Sequence, residues 1–239
     1  MPAVKRVGHK GAHHIAPGNT LASFDAALEC GVDMIEFDVL SERGTGRLLL
    51  AHDPQDARRP DVIELSEGLE HLRSAAYHGI ELDVDLKATG YEQQVLDALR
   101  EHELLDRALI STMETESLRT IRASAPSVRL GLSIPKLRRD LLASRWTRYP
   151  TYAAAGAARR VIPIRAARAI RAGRFYALMC HWALVTGQLA RAVARAGGEL
   201  YVWTVDEGPR IEALEALGVA GIITNDPRLF AERGVPGVS

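Results

Sequence analysis

Cysteine is scarce in this chain, as are aromatic residues, unbalanced charge and long apolar runs. Only Cys30 and Cys180 occur in 239 residues, too few and too far apart for a disulfide framework or a thiolate zinc site, so a reducing compartment is expected. Thirty Lys and Arg cancel thirty Asp and Glu, which removes the broad positive surface that non-specific nucleic-acid binding needs. A charged partner must then be recognised locally. The longest apolar stretch, around Phe175 to Val185, is interrupted by His181 and falls well short of a membrane span. The opening Met-Pro-Ala-Val-Lys-Arg carries no apolar leader core, and a cytoplasmic location is expected. Gly-rich nucleotide loops are missing too: neither GxGxxG nor a Walker sequence is present.

What is present is alternation. Short β-rich runs (7–9, 34–39, 80–87, 108–112, 128–133, 176–179, 200–205 and 221–224) alternate with helical segments such as Leu21–Cys30, Tyr91–Arg100 and Thr115–Ala123. That pattern predicts βα units and a parallel sheet. The run Leu48–His52 follows Arg43-Gly-Thr-Gly-Arg47 too closely for a crossover helix and is read as a hairpin arm after the second strand. Eight strands remain, which predicts a closed (β/α)₈ TIM barrel rather than an open doubly wound sheet. No repeat or linker divides the chain, so residues 1–239 are expected to form one domain.

The chemistry is concentrated early. In Met34-Ile-Glu-Phe-Asp-Val39 the period of two sends Ile35, Phe37 and Val39 toward the helices and Glu36 and Asp38 into the barrel. Asp83, Asp85 and Lys87 share the inner face of their strand in the same way. Acids crowded in a partly dehydrated mouth must take up protons, pair with Lys87, or recruit a cation, and oxygen ligands suit Mg²⁺ or Ca²⁺. A structural ion-pair network is the alternative. His9 ends the first strand and His52 ends the hairpin arm; together at the mouth they could serve as general acid and base. Singly, each reads as a structural histidine, and the other six histidines receive no role.

The segments Gly8-His-Lys-Gly-Ala12, Ala16-Pro-Gly-Asn-Thr20, Gly31-Val-Asp-Met-Ile-Glu-Phe-Asp-Val39 and His52-Asp53, with Val202-Trp-Thr-Val-Asp206 and 218–227 late in the chain, closely resemble the signature of the glycerophosphodiester phosphodiesterase family. The resemblance implies a TIM barrel, a divalent metal and hydrolysis of a phosphodiester to glycerol 3-phosphate and an alcohol. It implies that His9 and His52 are the acid/base pair, that Glu36, Asp38 and Asp85 hold the metal, and that Lys10, Lys87 and Trp203 face the substrate. Three positions depart from the pattern. Lys10 replaces an arginine and loses its bidentate fork, Gly18 replaces a glutamate, and Asp85 replaces a longer glutamate. The Asp85-Leu-Lys87 form is also similar to sphingomyelinase D type phospholipases, the alternative enzyme class. A barrel that binds headgroups without turnover is the alternative outside catalysis.

The segment 136–174 carries eleven basic residues against Asp140 alone. Weak contact with an anionic membrane is one reading. The other is a barrel helix with a solvated basic exterior, packed through Ile164, Ala167 and Ile170. Asp206, Gly208 and Pro209 read only as a helix entry.

Overall fold

The computed structural model describes residues 3–135 and 145–231. Its strands are β1 (Lys5–Gly8), β2 (Met34–Ser41), β3 (Leu48–Leu50), β4 (Glu81–Leu86), β5 (Ala108–Thr112), β6 (Arg129–Ile134), β7 (Ala177–His181), β8 (Glu199–Trp203) and β9 (Gly221–Thr224). All but β3 pair in parallel in chain order, and β9 pairs with β1 while β1 pairs with β2. The sheet therefore closes into an eight-stranded barrel. β3 lies antiparallel on β2, with Val39 opposite Leu50, as expected of a hairpin arm.

Helices α1 (Leu21–Glu29), α2 (Leu65–Arg73), α3 (Glu92–Glu101), α4 (Thr115–Ser124), α5 (Arg145–Arg171), α6 (Gly187–Arg195), α7 (Gly208–Ala216) and α8 (Arg228–Ala231) follow the strands. Burial splits along the strand period. Ile35, Phe37, Val39, Leu82, Val84 and Leu86 join the layer between strands and helices. Inside the barrel a smaller plug of Val7, Met34, Leu109, Ala177, Met179, Tyr201 and Ile223 fills the space below the mouth. Gly131 is part of this packing, since a Cβ there would sit 3.1 Å from both Leu109 Cδ2 and Ser111 Cβ. The polar inner positions of β2 and β4 thus stand at the open end, above an apolar stopper.

One expectation fails. Ile164 does not pack: it is 66% exposed, while Ala166, Ala167 and Ile170 carry the buried side of α5. At about 100° per residue, Ile164 falls among the outward arginines instead. Lys136, Arg138, Arg139 and Asp140 lie outside the described residues.

Candidate active site

The loop from β1 to α1 is shaped by three residues with positive φ, Lys10 (+52°), Gly11 (+81°) and Asn19 (+61°). Gly11 is required, because a Cβ would meet Ser23 O at 2.5 Å. Lys10 accepts the strain because its backbone is held on both sides: its N–H donates to Glu36 Oε2 at 2.8 Å, and its carbonyl accepts from Asn19 N at 3.0 Å and Ser23 Oγ at 2.8 Å. Thr20 then caps α1 in a reciprocal box with Ser23. Gly18 also has a steric reason, as a Cβ would lie 2.7 Å from His13 Nδ1 and 2.9 Å from Lys10 Cβ. His13, given no role in the sequence, accepts from Gly18 N at 3.1 Å.

Above the stopper lies a cavity of about 210 Å³ lined by His9, Glu36, His52, Asp83, Asp85, Lys87 and Trp203, among others. Two strands deliver the acids side by side, Glu36 level with Asp83 and Asp38 level with Asp85. Carboxylate oxygens of Glu36, Asp38 and Asp85 all fall within 4.8 Å of one another. Asp38 is fully buried and held by Asn19, which donates from Nδ2 to Asp38 Oδ2 at 2.9 Å and accepts from Asp38 N at 3.0 Å. Lys87 Nζ lies 2.5 Å from Asp38 Oδ1 and forms a short ion pair with Asp85. Lys10 does not line the cavity; its Nζ turns to Asp38 Oδ2 at 3.3 Å.

Charge explains the titration behaviour. Four carboxyl groups (Glu36, Asp38, Asp83, Asp85) face two ammonium groups (Lys10, Lys87), leaving two negative charges uncompensated. Burial pushes Asp38 upward, but Lys87 and Lys10 outweigh it and hold the carboxyl well below the usual range. Burial and the Asp38 charge push Glu36 well above it. Burial, with Asp85 nearby, raises Asp83 to about 8. Burial also raises Asp85 against the pull of Lys87. Lys87 is raised well above the lysine range, because Asp38 and Asp85 overcome the cost of burying it. A divalent cation supplies the two missing positive charges, and three converging carboxylates are suitable hard-oxygen donors. The residues present fit such an ion. A second acidic group, His52, Asp53 and Asp56, is more open, and Asp53 Oδ1 there accepts from the N–H groups of Gln55 and Asp56 at 2.7 and 3.1 Å.

The two histidines differ in environment. His52, 49% exposed, follows the β3 arm at the rim, with Nδ1 3.7 Å from Asp53 Oδ2. His9 is oriented by a chain that sequence reasoning missed. Asp206 accepts from Thr224 Oγ1 (3.0 Å), Asn225 N (2.8 Å) and Asn225 Nδ2 (2.7 Å). A carboxylate only accepts, so the Asn225 amide must turn its Oδ1 toward His9 Nδ1, 2.6 Å away. His9 therefore carries its proton on Nδ1 and leaves the Nε2 lone pair free, 3.8 Å from Glu36 Oε2. Burial lowers the His9 pKa to about 4, despite the opposing Asp38 charge and the Asn225 bond, so the ring stays neutral. Asp206 is thus more than a helix entry: the N-cap position of α7 falls on Glu207, whose side chain makes no capping hydrogen bond. The Asn225-Asp226-Pro227 run was the available signal. Trp203, edge-on to His181 at 5.2 Å, keeps a buried Nε1 without a hydrogen-bond partner.

Known proteins share this architecture. A glycerophosphodiester phosphodiesterase of Caldanaerobacter subterraneus subsp. tengcongensis is 25% identical, over 92% of this chain and 93% of its own. A solved structure of a glycerophosphodiester phosphodiesterase from Parabacteroides distasonis superposes with a TM-score of 0.74 at 16% identity, covering 96% of this chain and 98% of that one. An Oleispira antarctica phosphodiesterase solved with the product sn-glycerol-3-phosphate gives 0.72 at 18%, with 96% of each chain covered. The Glycerophosphoryl diester phosphodiesterase family itself matches residues 9–69 and 76–229, which takes in the loop of His9, both acidic strands, the His52 arm and the Asp206–Asn225 pair. Over that extent the chain belongs to the Glycerophosphoryl diester phosphodiesterase family and is a phosphoric diester hydrolase.

Proposed function

We propose that this chain hydrolyses glycerophosphodiesters to glycerol 3-phosphate and an alcohol, using His9 as general base and His52 as general acid beside a Mg²⁺ or Ca²⁺ ion. The observation that carries the reading is the convergence of His9, His52, Lys87 and three acids, Glu36, Asp83 and Asp85, on one cavity at the barrel mouth. Glu36, Asp38 and Asp85 would hold the ion, which when bound supplies positive charge beside the non-bridging phosphate oxygens. Lys87 adds a fixed ammonium on the same side and orients the diester. His9 Nε2, unprotonated and desolvated, takes the proton from the nucleophile, either water or the neighbouring glycerol hydroxyl. As the new P–O bond forms, the P–O bond to the alcohol breaks; on the hydroxyl route this leaves a cyclic phosphate, and a water molecule then attacks phosphorus and breaks the ring P–O bond to give glycerol 3-phosphate. His52, at the open rim, gives its proton to the departing oxygen. Trp203 stands at the cavity wall, where its ring would flank the substrate.

Products resolved by phosphorus NMR from glycerophosphocholine, glycerophosphoethanolamine, glycerophosphoglycerol and lysophosphatidylcholine test this reading. Glycerol 3-phosphate with free alcohol is expected. Lysophosphatidate or an accumulating cyclic phosphate would move the chain to the phospholipase D-like class, and no turnover of any diester would leave only binding.

A further inference from the structure

The α5 helix carries a surface that the reaction does not use. Between Asp140 and Glu199 there is no acidic residue at all. Large apolar side chains exposed to water are few among the described residues, and two of the four, Val161 (43%) and Ile164 (66%), lie one turn apart on α5. At about 100° per residue they share an arc with Arg165, Arg168 and Arg171. Arg165 and Arg168 also border a groove of about 1050 Å³ between α4 and α5, whose floor is Leu132, Ile134, Ala166 and Leu178, with Arg119 on the α4 side. Among the described residues Arg119, Arg165 and Arg168 make no ion pair or side-chain hydrogen bond.

We propose that this outer face of α5, with the groove beside it, docks the chain on an anionic lipid bilayer. Unpaired arginines beside water-exposed aliphatic side chains match the two layers of such a surface, phosphate oxygens outside and acyl chains beneath. A purely ionic partner would leave Val161 and Ile164 unexplained, and a purely apolar one would leave three arginines desolvated without a counter-charge. Arg159, one turn before Ile162, donates to the Ala183 carbonyl at 2.6 and 3.0 Å in the loop that follows β7. That contact, made from the side of α5 opposite Ile164, ties the helix itself to the mouth end of the barrel.

Co-sedimentation of the full chain with phosphatidylcholine vesicles, with and without phosphatidylglycerol, tests the proposal without depending on turnover. Recruitment is expected only with phosphatidylglycerol, and is expected to fall at least roughly tenfold in the double variant Arg165→Glu/Arg168→Glu and in high salt. Ile164→Glu should weaken it as well. All three positions are exposed and outside the cavity, so thermal melting and hydrolysis of a soluble diester should match the wild type. Absence of recruitment at low salt, or recruitment untouched by the double variant, overturns the proposal. So does a concentration-dependent dimer that Ile164→Glu dissolves in a chain that ignores vesicles, since the face would then belong to a second copy.

Discussion

The barrel mouth and the outer face of α5 handle charge in opposite ways. At the mouth, each buried charge has a counter-charge within reach: Asp38 sits between Lys10 and Lys87, and the excess of carboxylates is matched by upward shifts at Glu36 and Asp83. On α5, Arg165, Arg168 and Arg171 face water, and among the described residues they have no acidic partner on their own helix. Burying an ion costs several kcal/mol unless it is compensated, so only the mouth is forced to balance its charges. An exposed face can keep an imbalance, and the imbalance is then available to a partner.

The largest expected effects come from breaking the balance at the mouth. Asp38→Ala removes the carboxylate partner of Lys10 and one of the two that hold Lys87, and a loss of up to about 3–5 kcal/mol in urea unfolding is expected together with loss of turnover. Wild-type stability in that variant would show that the lysines simply swing to solvent. His9→Ala and His52→Ala should each lower kcat by roughly 10²-fold or more while circular dichroism and melting stay unchanged. Retained turnover in either removes that histidine from proton transfer.

A smaller effect tests the orienting chain. Asn225→Ala frees the His9 tautomer and should reduce kcat on the order of tenfold or more, with KM changing less. In the wild type, burial holds His9 neutral down to about pH 4, so the acid limb of kcat/KM attributable to this base lies well below the range of an ordinary imidazole. An acid limb near 6.5 that disappears in His9→Ala would contradict that assignment.

The smallest effect concerns Asp83, whose folded pKa of about 8 lies above the ordinary value of 3.8. A raised folded pKa means the native state holds a proton that the unfolded chain releases. The associated stability is complete below the unfolded pKa and is lost as pH rises through the folded value. In metal-free protein, Asp83→Asn should therefore stabilise increasingly between about pH 4 and 8, by at most about 1.4 kcal/mol per pH unit. A gain independent of pH would mean that Asp83 is already ionised.

What could be read in the sequence follows the same division. Glu36, Asp38, Asp83 and Asp85 were legible because a strand's period of two fixes their side as soon as the apolar alternate positions are assigned. The β3 arm was legible from a connection too short for a crossover. Asn225 and Asp206 were not, because their meeting with His9 depends on the register between β9 and β1 that closes the barrel. Asn19 sat in a recognised motif, yet its grip on Asp38 depends on a left-handed backbone residue that no periodicity reveals. Ile164 was misplaced because three or four apolar residues on a long helix fit more than one face. Ala166 and Ile170, packed into the core, set the buried face.

The most direct test follows release of glycerol 3-phosphate from glycerophosphocholine in one continuous assay as chelator is added and Mg²⁺ or Ca²⁺ is then restored. Release that stops with chelator and resumes with one of the two ions is the predicted result. Undiminished release in chelator would contradict the assignment of Glu36, Asp38 and Asp85 as the seat of a required cation.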